Sequence, residues 1–309
     1  MSTRGRVFIT GGAGFIGCHI AQLCLEKGHE VKCYDNLSVG VRENVPDGAE
    51  LIVDDILNPD GLVKAMRGSE YVFHLAARVS IRRAVTNFID DADVNILGTL
   101  NVLKAARDAG CRRFIYASSM AVYGNPEYSP QDEKHPTIPT SPYGVSKLAS
   151  EHYIKQLSAL WGLESNICRY FNTYGPKQTP SPYVGVITIF CKQLFAGETP
   201  VIFGDGKQVR DFIHVSDIAQ GSYSAAASGT FGDVFNLGTG MGTSVNDIGN
   251  LLSKKINSRI SPIHGEAQPG EPGDSIADIT HSRKVLRFKP RWKLAEKIDE
   301  AIEWNRKPN

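Results

Sequence analysis

The chain of 309 residues has no excess of either charge: 34 lysines and arginines stand against 33 aspartates and glutamates, a formal net charge of +1. A nucleic acid or an anionic membrane surface would find nothing to recognise in that balance. No apolar run approaches the roughly 18 residues that a membrane span needs. The six cysteines (Cys18, Cys24, Cys33, Cys111, Cys168 and Cys191) form no CxxC pair and no Cys/His zinc spacing. They are expected to be buried apolar thiols in a reducing compartment, with no metal held. No apolar leader or cleavage site precedes the first apolar run, so a cytoplasmic protein is expected. Internal repeats and low-complexity tails are missing as well.

What is present in the first half is an alternation of short apolar runs with amphipathic stretches, the pattern of a parallel sheet covered by helices. Strands are predicted at 6–10, 30–34, 50–53, 71–74, 113–117 and 165–170, and the longest helices at 92–109 and 145–160. Beyond Asn172 prolines and glycines accumulate, from Gly175 and Pro176 to Gly206, and predict a loop-rich second segment. Two later apolar runs, 212–215 and 234–237, are candidates to return to the main sheet. The expected division is a dinucleotide-binding unit at 1–172 with return segments near 212–237, and a substrate unit made mainly of 173–309.

The segment Thr10-Gly-Gly-Ala-Gly-Phe-Ile-Gly17 lies between a predicted strand and a predicted helix that begins near Phe15. Gly12, Gly14 and Gly17 fit GxGxxG, and Gly11, Gly14 and Gly17 fit its GxxGxxG variant. Such a loop needs glycine for the tight turn, for close approach of a pyrophosphate, and for helix–strand packing. The helix N-terminus then favours the anion. A merely tight turn is the bland alternative. Asp35 counts against it, because it ends the second strand where a carboxylate holds the adenosine ribose and repels a 2′-phosphate, which favours NAD over NADP. Asp55 and Ile56, after the third strand, read either as an adenine contact or as an ordinary loop acid and core aliphatic.

Tyr143-Gly-Val-Ser-Lys147 opens a helix, and its i, i+4 spacing puts phenol and ammonium on one face. The pair is weak evidence alone, since an exposed Tyr and Lys would have the same spacing. It follows the fifth strand, however, which runs into Ala117-Ser-Ser119, at the sheet edge where ligands of such folds bind. A tyrosine base needs its pKa lowered by roughly 3 units from about 10. The lysine and an oxidised nicotinamide, both cations, act in that direction.

With these residues in view, the chain resembles the extended short-chain dehydrogenase/reductases of the NAD-dependent epimerase/dehydratase family, and within it the UDP-glucose and UDP-N-acetylglucosamine 4-epimerases. The marks run along nearly the whole chain: Thr10–Gly17, Asp35-Asn-Leu-Ser38, His74-Leu-Ala-Ala77, Asn95-Ile-Leu-Gly-Thr99, Ser118–Gly124, Tyr143…Lys147, Arg169-Tyr-Phe-Asn172, and Gly204-Asp-Gly206 with Arg210-Asp-Phe-Ile-His214. The resemblance implies an α/β Rossmann-type doubly wound sheet, a smaller C-terminal α/β substrate part, bound NAD and a UDP-sugar. It implies a homodimer through the helices 92–109 and 145–160. It assigns Tyr143 as base, Ser119 as its hydroxyl partner and Lys147 to the nicotinamide ribose. The implied NAD contacts are Gly11, Gly14, Phe15, Ile16 and Gly17 in the loop, then Asp35, Asn36, Ser38, Asp55 and Ile56. Leu75, Ala76, Asn95 and Phe171 complete them, with Tyr143 and Lys147. The implied substrate contacts are Ser119, Tyr143, Asn172, Arg210, Gln268, Glu271 and Ser275. A guanidinium at Arg210 suits phosphate oxygens, although a surface ion pair with a neighbouring aspartate is the alternative.

Relatives that dehydrate or decarboxylate a sugar nucleotide usually carry an acid two positions before the Tyr-Gly that follows the serine motif. Here that stretch reads Ser119-Met-Ala-Val-Tyr123 and offers no carboxylate for elimination. Epimerisation needs only oxidation at C4, turning of the keto sugar, and reduction from the other face, so UDP-hexose 4-epimerisation is the expected activity. UDP-glucuronate epimerisation, a lyase or reductase reaction, and a non-catalytic NAD-binding role are the alternatives. Two departures stand out. The family's late Arg-Pro-Gly-Glu appears as Gln268-Pro-Gly-Glu271, which puts a neutral amide at a diphosphate-binding cation. Arg82 and Arg83, with Arg78 close by, are candidate replacements or else solvated helix charges. Ser275 falls where relatives gate the C2 substituent, and a small side chain there leaves room for N-acetyl.

Overall fold

A computed structural model describes residues 4–179, 185–266 and 274–306. Seven parallel strands form its centre: β1 (Arg6–Thr10), β2 (Glu30–Asp35), β3 (Glu50–Val53), β4 (Tyr71–His74), β5 (Arg113–Ser119), β6 (Glu164–Tyr170) and, from later in the chain, Asp233–Leu237. Spatially they run Asp233–Leu237, β6, β5, β4, β1, β2, β3. Period-2 alternation sends neighbouring side chains to opposite faces. Val7 and Ile9 thus enter one core with Ile20 and Cys24 of α1 (Phe15–Glu26), while Phe8 enters another with Leu62 and Met66 of α2 (Pro59–Met66).

The helices start and stop at chemically marked places. Asn58 accepts from Gly61 N at the head of α2, where Pro59 fills a position needing no N–H. After β4 come α3 (Ile81–Thr86) and α4 (Phe88–Ala92). A single π-helical stretch, Asp93–Gly98, then leads into α5 (Thr99–Asp108). The long α6 (Pro142–Trp161) is capped by Ser141, whose Oγ accepts from Gly144 N at 3.1 Å, and ends at Gly162 in the left-handed region.

Beyond β6 the chain breaks at Phe171 and re-forms as β7 (Asn172–Tyr174) in a different sheet. The Pro- and Gly-rich stretch holds more structure than its composition predicts: α7 (Val186–Phe195) buries Ile187, Phe190 and Leu194. It packs in a third core with α9 (Val245–Ile256) and α11 (Leu294–Arg306), which follow β8 (Val201–Phe203), β9 (Val209–His214), α8 (Val215–Ala227), β10 (Asp233–Leu237) and β11 (Gly242–Ser244) and have α10 (Thr280–Leu286) between them. The run near 212 does not return to the main sheet. β9 pairs with β7 and β11, and only β10 joins the main sheet, beside β6. A buried apolar run shows that a strand is interior, not which sheet receives it. Among the described residues, no helix is long and apolar enough to cross a membrane.

Candidate active site

The order of the main sheet reverses at β1, which has β2 on one side and β4 on the other. The chain therefore leaves the carboxyl ends of β1 and β4 in opposite directions and opens a crevice between them. The glycine loop occupies that crevice. Gly11 has φ +69°, and a Cβ on it would lie 2.8 Å from the Ala76 backbone nitrogen. A Cβ on Gly17 would stand 2.1 Å from the Gly11 carbonyl oxygen. Helix α1 starts at Gly14 without a side-chain cap, so its first N–H groups are available to an anion. This bare cradle is shaped for a pyrophosphate.

Asp35 lies beyond it at the end of β2. Its carboxylate accepts from Ala13 N at 3.0 Å and Leu37 N at 2.9 Å, and burial nevertheless raises its pKa. Asn36 donates to Asp55 Oδ2 at 2.7 Å and accepts from Ser38 N, which ties the loops after β2 and β3 together. Gly11, Gly14, Gly17, Asp35, Asn36, Ser38 and Asp55 line one cavity of 620 Å³ that also takes in Phe15, Ile16, Ile56, Leu75, Ala76 and Phe171. Ser119, Tyr143 and Lys147 line its far end. A pyrophosphate cradle, a ribose-binding carboxylate and a reactive end in one continuous space fit a nicotinamide dinucleotide.

At the reactive end, Tyr143 and Lys147 rise from the first turns of α6 and are 8% and 3% exposed. Lys147 Nζ donates to the Ala117 carbonyl at 2.9 Å and sits 6.0 Å from the centre of the Tyr143 ring. Burial pushes this lysine down to about 8, against the carboxylates of Asp91 and Glu151. The Tyr143 phenol is pushed up to about 12, by burial first, with the Ser119 hydroxyl opposing and Asp91 adding to the rise. In the protein alone, burial thus outweighs the lowering that the sequence leads one to expect from Lys147. Beneath the pair, Glu151 of α6 accepts from Arg169 Nη2 of β6 at 2.6 Å and from Ser118 Oγ at 2.5 Å. That buried bridge fixes α6 to the sheet.

The residues expected on the substrate side gather elsewhere. Arg210 of β9 pairs through its backbone with Ser275, and Asn172 of β7 donates to Ser275 Oγ at 3.3 Å. The three form one cluster beside the cavity without lining it, and Ser275 is only 2% exposed. Gln268 and Glu271 fall outside the described residues, as do the side-chain surroundings of Arg82. Asn95 is also off the cavity wall. It is buried behind it, where it accepts from Arg78 N at 2.8 Å and donates to Asp91 Oδ1 at 3.0 Å. Sequence reasoning passed over Asp91, Thr173 and Gln178, all on the cavity wall, left Arg78 without a role, and offered Arg83 only as a candidate cation for the diphosphate. Both arginines line the cavity and turn to Asp90, at 3.0 and 3.8 Å. The one signal available for Asp91 was its i, i+4 relation to Asn95.

An open parallel sheet with this cradle, this carboxylate and a Ser-Tyr-Lys set at one end of the cavity defines a Rossmann-type enzyme that works with a nicotinamide dinucleotide. The model of the NAD dependent epimerase/dehydratase family matches residues 7–238. The chain belongs to that family, and NAD is its cofactor. It is 36% identical over 309 residues to the UDP-glucose 4-epimerase of Mycolicibacterium smegmatis, covering 97% of this chain and 98% of that one. A solved UDP-glucose 4-epimerase from Thermotoga maritima, with UDP-glucose, superposes with a TM-score of 0.94 at 35% identity, over 97% of this chain and 98% of the other. The UDP-N-acetylglucosamine 4-epimerase of Methanobrevibacter ruminantium, in complex with UDP-N-acetylmuramic acid, gives 0.92 at 34%, again over 97% and 98%.

Proposed function

We propose that this NAD-dependent epimerase interconverts UDP-glucose and UDP-galactose, and that it also accepts the N-acetylhexosamine pair. The observation that carries the reading is the set Ser119, Tyr143 and Lys147 at one end of the dinucleotide cavity, with no carboxylate in the stretch Met120–Val122. Bound NAD supplies the acceptor, and later the donor, of the C4 hydride. Tyr143 takes the proton of the C4 hydroxyl and returns it, which requires a phenol held well above neutrality to be drawn down by the cations around it. Lys147, kept in place by the Ala117 carbonyl, is the protein's own cation there. Ser119 bonds the phenol and orients it. Asn172, Arg210 and Ser275 form the diphosphate and sugar side, and the small Ser275 leaves space at C2.

A second reading, UDP-glucuronate 4-epimerisation, draws on Arg78 and Arg83 in the cavity wall, since a C6 carboxylate would suit a cation. Asp90 answers only one of those two charges, and the hexose is preferred because the relatives of similar identity named above are UDP-glucose and UDP-N-acetylglucosamine 4-epimerases. Purified protein incubated separately with UDP-glucose, UDP-N-acetylglucosamine and UDP-glucuronate, without added cofactor, tests both. Proton NMR should show the axial C4 product from the first two. Turnover of the glucuronate alone would reverse the order of the readings.

We also propose a division into an NAD unit, built from residues up to 172 with α8 and β10, and a substrate unit carrying the third core. The homodimer belongs here too: Leu97 in the π stretch, with Val145, Tyr153 and Leu160 of α6, the last 78% exposed, leaves apolar surface on the two helices in question. Light scattering at micromolar concentration should give twice the chain mass.

A further inference from the structure

Asp91, in α4, has no part in the mechanism above. Its carboxylate is 2% exposed, yet it forms part of the same cavity wall as Tyr143 and Lys147. Its side-chain partners, Asn95 and Ser146, are both shared with other groups. Asn95 Nδ2 donates to it at 3.0 Å, but that nitrogen also lies 2.9 Å from the Arg78 carbonyl and 3.2 Å from Ser146 Oγ. Two N–H groups cannot fully serve three acceptors. Asp211 shows what a structural acid looks like in this protein, with donors from Thr239 N, Thr239 Oγ1, Gly240 N and Ala277 N.

Of the cations in this wall, Arg78 and Arg83 are partly exposed and Lys147 is buried. Asp90, the neighbour of Asp91, takes Arg78 and Arg83, from the loop after β4 and from α3. On α6, Glu151 is neutralised by Arg169 at 2.6 Å. Buried His74 of β4 is held neutral, with burial and Lys147 both disfavouring its charged form. Lys147 then remains as the buried cation facing Asp91, and Tyr143 as the group whose ionised form it opposes.

We propose that Asp91 is the counter-charge of the catalytic pair: a carboxylate in the cavity wall that keeps Lys147 protonated and favours the cofactor with a cationic nicotinamide over its neutral reduced form. It acts through Lys147 and the cofactor and is therefore a positioning residue. The proposal rests on the assignment of Tyr143 and Lys147 given above. A unit charge within about 10 Å, at an effective dielectric near 20, changes such an equilibrium by roughly tenfold. One consequence is a bias toward the oxidised resting form that an epimerase needs to begin each cycle. The other is a higher working pH, because the same carboxylate holds both Lys147 and Tyr143 in their protonated forms.

The test is Asp91→Asn, which keeps an oxygen for Asn95 and removes only the charge. A redox titration of the bound cofactor in the intact holoenzyme should show the reduced form favoured about tenfold more, a rise of about 30 mV for a two-electron couple. Both limbs of the pH–turnover profile should move to lower pH together. Asp91→Glu, which restores the charge, should return the potential and the limbs toward wild type, and it serves if the Asn variant folds poorly. A merely structural Asp91 would lower turnover at every pH, with potential and limbs unmoved, and that result in Asp91→Asn overturns the proposal. So does an Asp91→Glu variant with the shifted potential of Asp91→Asn. The potential is read without any sugar or Tyr143 chemistry. A wrong catalytic assignment would show separately, as turnover surviving in Tyr143→Phe.

Discussion

From Thr10 to Asp35 the pyrophosphate cradle and its carboxylate lie on one uninterrupted strand, loop, helix and strand, whereas Asn172, Arg210 and Ser275 meet from three segments far apart in the chain. On the cofactor side each residue is positioned by its immediate neighbours: Gly17 by the Gly11 carbonyl, Asp35 by the amides of Ala13 and Leu37. In the Asn172, Arg210 and Ser275 cluster the positioning agent is a remote acid. Asp211, one residue past Arg210, collects amides from Thr239, Gly240 and Ala277 and so binds β9 to the two segments around it. Substitutions should therefore separate the two sides cleanly, with local damage on one and distributed damage on the other.

The largest separation is expected from Tyr143→Phe. Turnover should fall by about 10²–10⁴-fold, the usual worth of a positioned acid/base, while the amount of NAD carried through purification stays unchanged. A variant that kept a tenth of wild-type turnover would remove the tyrosine from the chemistry. Next comes Asp211→Ala, which strands several buried amides at once. Chemical denaturation should show a loss of about 3 kcal/mol. Because β9 does not touch the dinucleotide cradle, NAD affinity at low temperature should hold while kcat/KM for the sugar falls. Equal loss of both would mean that the two sides fold as one. Asp35→Ala should do the reverse, weakening NAD by about 1–3 kcal/mol with the sugar side intact, as titration calorimetry would show, and relaxing exclusion of NADP. The smallest effect is expected from Ser275→Tyr. The phenol cannot stay in so buried a place and must move toward the sugar, so the kcat/KM ratio of UDP-N-acetylglucosamine to UDP-glucose should fall by about tenfold. Equal slowing of both would place the C2 substituent elsewhere.

The same contrast decided what the sequence could disclose. The Gly loop, Asp35 and the Tyr143–Lys147 pair were legible because their spacing along the chain is their geometry, a turn or one helical repeat. Six of the seven main strands were found within a residue or two at their ends, and the seventh, β10, was one of the two runs expected to return to the sheet. The assignment of Phe212 to the main sheet failed because β pairing joins residues without regard to distance along the chain. Helix α7 hid among prolines and glycines, since its apolar face is satisfied by α9 and α11 and tertiary packing overrode composition. Asn95 was recognised as a site residue, but its place behind the wall, through Arg78 and Asp91, depends on a π stretch that no periodicity reveals.

The break at Phe171 bears on how such an enzyme can be altered. One extended segment supplies β6 to the main sheet and, a single residue later, β7 to the small one. The chain then recrosses, giving β10 back to the main sheet and β11 to the small one. No single cut therefore releases the small sheet and its helices as a transplantable module. A graft spliced at 171 would carry away the partner of β6, and one spliced at 238 would leave β9 flanked on one side only. New specificity in this architecture has to come from side chains exchanged in place, because the backbone is stitched through both halves.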